Sequence, residues 1–145
     1  MSLPIPVPGL VINYSYLWGY EHRKGRVEGA KDRPCAVVLV IADAPQPQVV
    51  VLGITHTKPP VAHHGLELSQ LARRRLGLDD QPSWIITTEA NMFTWPGPDL
   101  RPRYPDRQES VAFGILPAEL VVELRRRFRA HVTSRQIRIV PRTSD

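Results

Sequence analysis

Two apolar runs in this sequence carry, at one end, side chains suited to work on a phosphate. Arg33 stands directly before Pro34 and the run CAVVLVI, and Thr55, His56 and Thr57 close the run VVVLGI. Pre-proline geometry keeps Arg33 extended. A guanidinium there presents a planar fork of donors and stays charged over the whole working pH range. The ordinary alternative for it is an ion pair with Asp32 or Glu28. Strand alternation sends Thr55 and Thr57 to one face and His56 to the other. A hydroxyl at a strand end can hold a phosphate oxygen, or it can simply satisfy backbone. By its chemistry His56 is a candidate base, but alternation turns it away from Thr55.

Other chemistries find less in the sequence. His56, His63 and His64 match no standard zinc spacing, and no cysteine pair joins them. Cys35, the one cysteine, lies in an apolar run, reads as a small core residue, and has no partner for an internal disulfide. Trp18 and Trp95 flank loops and can stack bases, whereas Trp84 reads as core. The basic cluster Arg125, Arg126, Arg127 and Arg129 reads as the solvated side of a helix.

These residues need elements to hold them. Residues 10 to 17, LVINYSYL, read as a first strand. A charged loop with three glycines follows over 19 to 33, then a doubly covered strand over 35 to 41. A turn over 43 to 47 leads into the third strand, 48 to 56. Leu68, Leu71, Ala72 and Leu76 fall at helical spacing within 66 to 78, with Gly77 as the stop. A fourth strand is predicted over 83 to 90, and a proline-rich surface loop over 95 to 110. Pro117 opens a helix whose stripe is Leu120, Val121, Leu124 and Phe128, and 136 to 140 alternates as a final edge strand. The expected class is mainly β (α+β): a small, strongly curved β-barrel with long loops and a C-terminal amphipathic helix.

A length of 145 residues suits one domain, with a core over 8 to 131 and a tail or edge strand over 132 to 145. Apolar residues at 42% and charged residues at 23% argue against wholesale disorder. No stretch approaches the roughly 20 apolar residues that cross a bilayer, and MSLPIPVPGL lacks the basic region of a signal peptide. A cytoplasmic protein with no membrane partner is expected, and the lone cysteine fits a reducing compartment. Nineteen basic against fourteen acidic residues, a formal +5, favour an anionic partner such as nucleic acid.

The order of these pieces resembles the PemK/MazF family of toxins from bacterial type II toxin–antitoxin systems. The matching stretches are Pro8-Gly9-Leu10-Val11, the charged loop ending in Arg33-Pro34, CAVVLV, LGITHT, Ser83-Trp84-Ile85 with Glu89, and FGILPAELVVELRRRF. The resemblance implies an SH3-like barrel, a homodimer, and metal-independent cleavage of single-stranded RNA, with no cofactor. It carries the essential arginine onto Arg33 and the essential threonine onto Thr55, with His56 and Glu89 as auxiliaries. Arg23, Lys24, Arg26 and Lys31 of the loop, with Trp18, Trp95 and Lys58, would then contact RNA. It also implies inhibition by a cognate antitoxin with a disordered acidic segment. The loop before Arg33 and the segment 95 to 110 are longer than in compact members.

Two rivals share the same residues. A CcdB-like toxin that binds gyrase would need no phosphate-facing arginine, though such toxins rely on extreme C-terminal residues, often a tryptophan, and this chain ends VPRTSD. A non-catalytic module for single-stranded nucleic acid would use Trp18, Trp95 and the basic loop to bind RNA without cutting it.

Overall fold

The computed structural model describes residues 3–26, 29, 31–41 and 46–142. The predicted turn over 43 to 47 lies largely outside these residues, as do Glu28 and the last three residues. Among the described residues, eight strands form one sheet that is mainly antiparallel, and three α-helices accompany it. In chain order these are β1 (Leu10–Tyr14), α1 (Gly19–Arg23), β2 (Arg33–Ile41), β3 (Gln48–Thr55) and β4 (Gly65–Glu67). They continue with α2 (Gln70–Arg75), β5 (Trp84–Ile86), β6 (Glu89–Thr94), β7 (Ala112–Ile115), α3 (Ala118–Thr133) and β8 (Arg138–Pro141).

The sheet runs β4-β5-β3-β2-β1-β7, and β6 joins β3 to β8. β3 changes partner along its length. Gln48 to Val51 pair with β6, and Ile54 and Thr55 pair with β5. A bulge between Val37 and Leu39 of β2 adds to the bend. The mainly antiparallel sheet with helices fits the expected α+β class, but the sheet is not closed. The expected fourth strand is therefore two strands, broken at Thr87 and Thr88, where the amide of Thr87 leaves the ladder to donate to the carbonyl of His64.

Alternation along β2 and β3 fills a core on each face, which is why both sequences are apolar without interruption. Ala36, Val38, Val50, Leu52 and Ile54 pack under α2 and α3 with Leu76, Leu124 and Phe128. Cys35, Val37, Val49 and Val51 pack on the other face with Tyr14, Tyr16, Phe93 and Trp95. The α3 stripe lies where the periodicity puts it. The predicted helix over 66 to 78 is shorter, because Ser69 accepts from the Ala72 amide and sets the start at Gln70. That start turns Leu71 outward, 71% exposed, while Ala72 and Leu76 go in.

Two further expectations are corrected. β1 ends at Tyr14, where the Ser15 amide turns to the carbonyl of Asp99. The charged loop over 19 to 33 begins with α1, whose Glu21 carboxylate accepts from the Trp18 amide at 3.0 Å. The segment over 95 to 110 carries no helix or strand, as expected of a loop, and is tied to β1 by the Arg101 amide donating to the carbonyl of Asn13 and by a bridge between Leu100 and Tyr14. The short strand β7, which pairs with β1, was not legible in FGIL before the helix. Among the described residues no helix is long and apolar enough to cross a membrane.

Candidate functional site

The site begins with register. Tyr14 of β1 pairs with Arg33, and Cys35 of β2 pairs with Gly53 of β3. The β2–β3 ladder stops there; Arg33 lies two residues before Cys35 and Thr55 two after Gly53, in the row of residues at that end of the pair, and Thr55 pairs with Trp84 of β5. Arg33 and Thr55 are thus neighbours in one row at the end of the sheet, although 22 positions separate them in sequence.

Two cavities meet at that row. The first, about 280 Å³, is lined by Lys31, Asp32, Arg33, Thr55, His56, Asp79 and Ser83 among others. The second, about 500 Å³, is lined by residues that include Trp18, Tyr20, Lys58, Ile86, Thr88 and Glu89. Arg33, Thr55 and Thr57 line both, so the two form the halves of one groove with the arginine and threonine at its centre.

Arg33 is half-buried, and its guanidinium carbon lies 4.9 Å from the centre of the Trp18 ring. Its Nη1 donates to the carbonyl of Ile54 over a long 3.4 Å. The Nε is buried and has no hydrogen-bond partner among the described residues. Leaving a buried donor unmade costs roughly 1–3 kcal/mol. The ordinary ion pair with Asp32 is not formed: the Asp32 carboxylate faces Arg101 at 3.7 Å. Thr55 Oγ1 accepts from the amide of Thr57 at 3.1 Å, which leaves its O–H available to donate.

That Thr55–Thr57 turn also corrects the orientation of His56. β3 ends at Thr55, alternation stops with it, and His56 enters the same cavity as Thr55 instead of the opposite face. Its Nε2 lies 3.0 Å from Asp79 Oδ2, and its Nδ1 lies 2.9 Å from the carbonyl of Pro82 and 3.2 Å from Ser83 Oγ. Both ring nitrogens are engaged, so His56 clasps the end of β3 to the loop before β5. His63 and His64 lie apart from this clasp, their rings against His131. Among the described residues no group of three or more acids, histidines or cysteines is arranged to hold a metal ion.

The other predicted residues divide. Trp18, Lys31, Lys58 and Glu89 line the groove. Arg23 and Lys24 are exposed on and beside α1, and Arg26 Nε approaches Glu21 at 4.0 Å. Trp95 is corrected: it is 7% exposed and packs with Phe93 in the core, so it offers no stacking face. Glu89 is half-buried, burial pushes its carboxyl up, and its Oε2 accepts from the Gly19 amide at 2.6 Å. Cys35 is fully buried and its thiol is pushed far up by that burial, which fits a core residue. Tyr20, Asp79 and Ser83 were missed, since nothing local in their sequence marks them. Their approach to the site depends on where α1 and the loop before β5 pack.

Gly53 supports the arginine from below. A Cβ there would lie 2.9 Å from Trp18 Cη2 and 3.2 Å from Tyr16 Cε1. Gly53→Ala is expected to lower stability by about 1–3 kcal/mol through overpacking, and to displace Trp18 from Arg33. Urea unfolding together with tryptophan fluorescence checks both; an unchanged midpoint and spectrum would show that Trp18 is not seated on Gly53.

No family model, curated protein or solved structure matches this chain.

Proposed function

We propose that the chain is an endoribonuclease of the PemK/MazF kind, cleaving single-stranded RNA without a metal ion. The observation that carries this reading is the partly exposed Arg33, which lines the same groove as Thr55. The accessible part of the guanidinium can donate to a phosphate oxygen in that groove.

RNA carries its own nucleophile, so the protein has to align it and manage charge. The 2′-oxygen bonds to phosphorus as its proton leaves, the P–O5′ bond breaks, and the 5′-oxygen takes up a proton. A 2′,3′-cyclic phosphate and a 5′-hydroxyl result. Arg33 stabilises the charge that builds on the phosphorane, and Thr55 donates to a nonbridging oxygen. His56 is an auxiliary that can move a proton only by releasing Asp79 or the Pro82 carbonyl. Arg23, Lys24, Arg26, Lys31 and Lys58 guide the strand. The wider proposal includes an SH3-like barrel, a homodimer, a cytoplasmic setting, growth inhibition, and an antitoxin whose acidic segment folds into the basic groove.

A non-catalytic RNA-binding module is the second reading, favoured by the engagement of both His56 nitrogens, which leaves no ready base. Incubation of purified protein with long single-stranded RNA in EDTA separates the two. Discrete fragments ending in cyclic phosphate, lost in Thr55→Ala, are the expected result. Tight, salt-sensitive binding with intact RNA would select the binding module instead.

A further inference from the structure

The wider half of the groove has features that a phosphate-binding surface does not require. Apolar groups make much of its wall: Trp18, Tyr20, Pro59, Pro60 and Ile86. Tyr20 is 53% exposed and lines the cavity. Trp18 has one partner in the Arg33 guanidinium and another in Tyr16, set edge-on at 4.7 Å. Tyr20 therefore offers the freer aromatic surface, with Lys24 Nζ 5.9 Å from its centre. A cavity of about 500 Å³ holds a nucleobase with room to spare.

Glu89 is the second feature. Among the described residues lining this cavity it is the one acid. A carboxylate beside a bound phosphate chain repels it, so its presence there calls for a compensating contact. One oxygen, Oε2, accepts from the Gly19 amide at the start of α1, which ties the carboxylate to the cavity wall. A carboxylate so held is an acceptor pair. Of the four RNA bases, guanine alone presents two adjacent donors on its Watson–Crick edge, N1–H and the N2 amino group. Adenine and cytosine pair a donor with an acceptor, and uracil sets one donor between two carbonyls. Thr88, next in the chain, adds a hydroxyl donor for guanine O6.

We propose that this cavity is a base subsite selecting guanine beside the phosphate held by Arg33, with Tyr20 stacking on the base and Glu89 accepting from N1–H and N2. The position beside a phosphate rests on the ribonuclease reading; the base preference rests on Glu89 and Tyr20. Uncleavable 2′-O-methyl hexanucleotides, with a single position carrying G, inosine, A, C or U, test it by fluorescence anisotropy. The wild type is expected to bind the G oligonucleotide roughly tenfold tighter than A, C or U, with inosine between. Glu89→Gln keeps an oxygen for the Gly19 amide and should flatten the preference to within about threefold. Tyr20→Ala should weaken all bases alike.

Equal binding of all bases by the wild type overturns the subsite, as does a G preference that survives in Glu89→Gln. The same oligonucleotides with free 2′-hydroxyls separate the two readings. G-selective binding without cleavage leaves the subsite standing and removes the ribonuclease. Cleavage with no guanine beside the cut does the reverse, and failure to bind any oligonucleotide removes both.

Discussion

Alanine in place of Arg33 is expected to slow RNA cleavage by about 10²–10³-fold while the chain keeps its fold. The expected rate loss follows from the position of Arg33, which with Thr55 lines both cavities. The preserved fold follows from how little Arg33 does for stability. Among the described residues its side chain donates over a long 3.4 Å to the Ile54 carbonyl, its Nε makes no hydrogen bond, and its stacking on Trp18 contributes roughly 0.5–1 kcal/mol. Most groups held at the end of a strand behave oppositely, costing stability when removed and leaving chemistry alone. Arg33→Lys should recover only a small part of the rate, because an ammonium cannot reproduce the fork. Single-turnover cleavage with a parallel urea titration reads both quantities. An Arg33→Ala protein that cuts RNA at the wild-type rate would remove the phosphate site altogether.

Arg142→Met is expected to have the opposite signature, a loss of about 3–5 kcal/mol of stability. The Arg142 and Asp99 side chains are 2% and 8% exposed, with Nη2 to Oδ2 at 3.1 Å. Nη1 donates to the carbonyl of Ser15 at 2.7 Å and to Asn91 Oδ1 at 2.8 Å. Without the guanidinium, a buried carboxylate and two further buried oxygens lose a charged donor. The damage extends toward the groove. Asn91 holds Leu17 at both ends, accepting from its amide at 2.9 Å and donating to its carbonyl at 2.8 Å, and Leu17 leads directly into Trp18. Combining Arg142→Met with Asp99→Asn should recover part of the loss, because the uncompensated charge is then gone. Urea midpoints of the wild type, single variant and double variant supply the comparison. A single-variant loss under about 1 kcal/mol would mean that the network is far less buried than its geometry.

The proposed cleavage and the stability are thus expected of different arginines, and the sequence distinguished only one of them. Arg33 stood out because its neighbour is a proline and its strand is apolar, both local features. Arg142 stood in a tail with no pattern, and its partners Ser15, Asn91 and Asp99 are distant in sequence. A buried ion pair of that kind is set by packing, and no local periodicity reports it. Trp95 shows the same blindness from the other side. A tryptophan among prolines reads as a loop residue, yet the turn after β6 folds it onto Phe93.

Local physics carried several elements correctly. The uninterrupted β-branched runs of β2 and β3 require cover on both faces, and both faces are covered. The stripe of α3 follows a 3.6-residue period that holds in any surroundings. Residue types at strand ends singled out Arg33, Thr55 and His56. The tertiary structure decided which of them share a cavity, because register, the bulge in β2 and the exchange of partners along β3 set the distances between chain-remote groups. It also turned His56 into the groove, for the Thr55–Thr57 hydrogen bond ends the alternation on which the opposite orientation depended. Tyr20 and the tie of Glu89 to the Gly19 amide came only with the packing of α1, since a five-residue helix is held by contacts rather than by its own sequence.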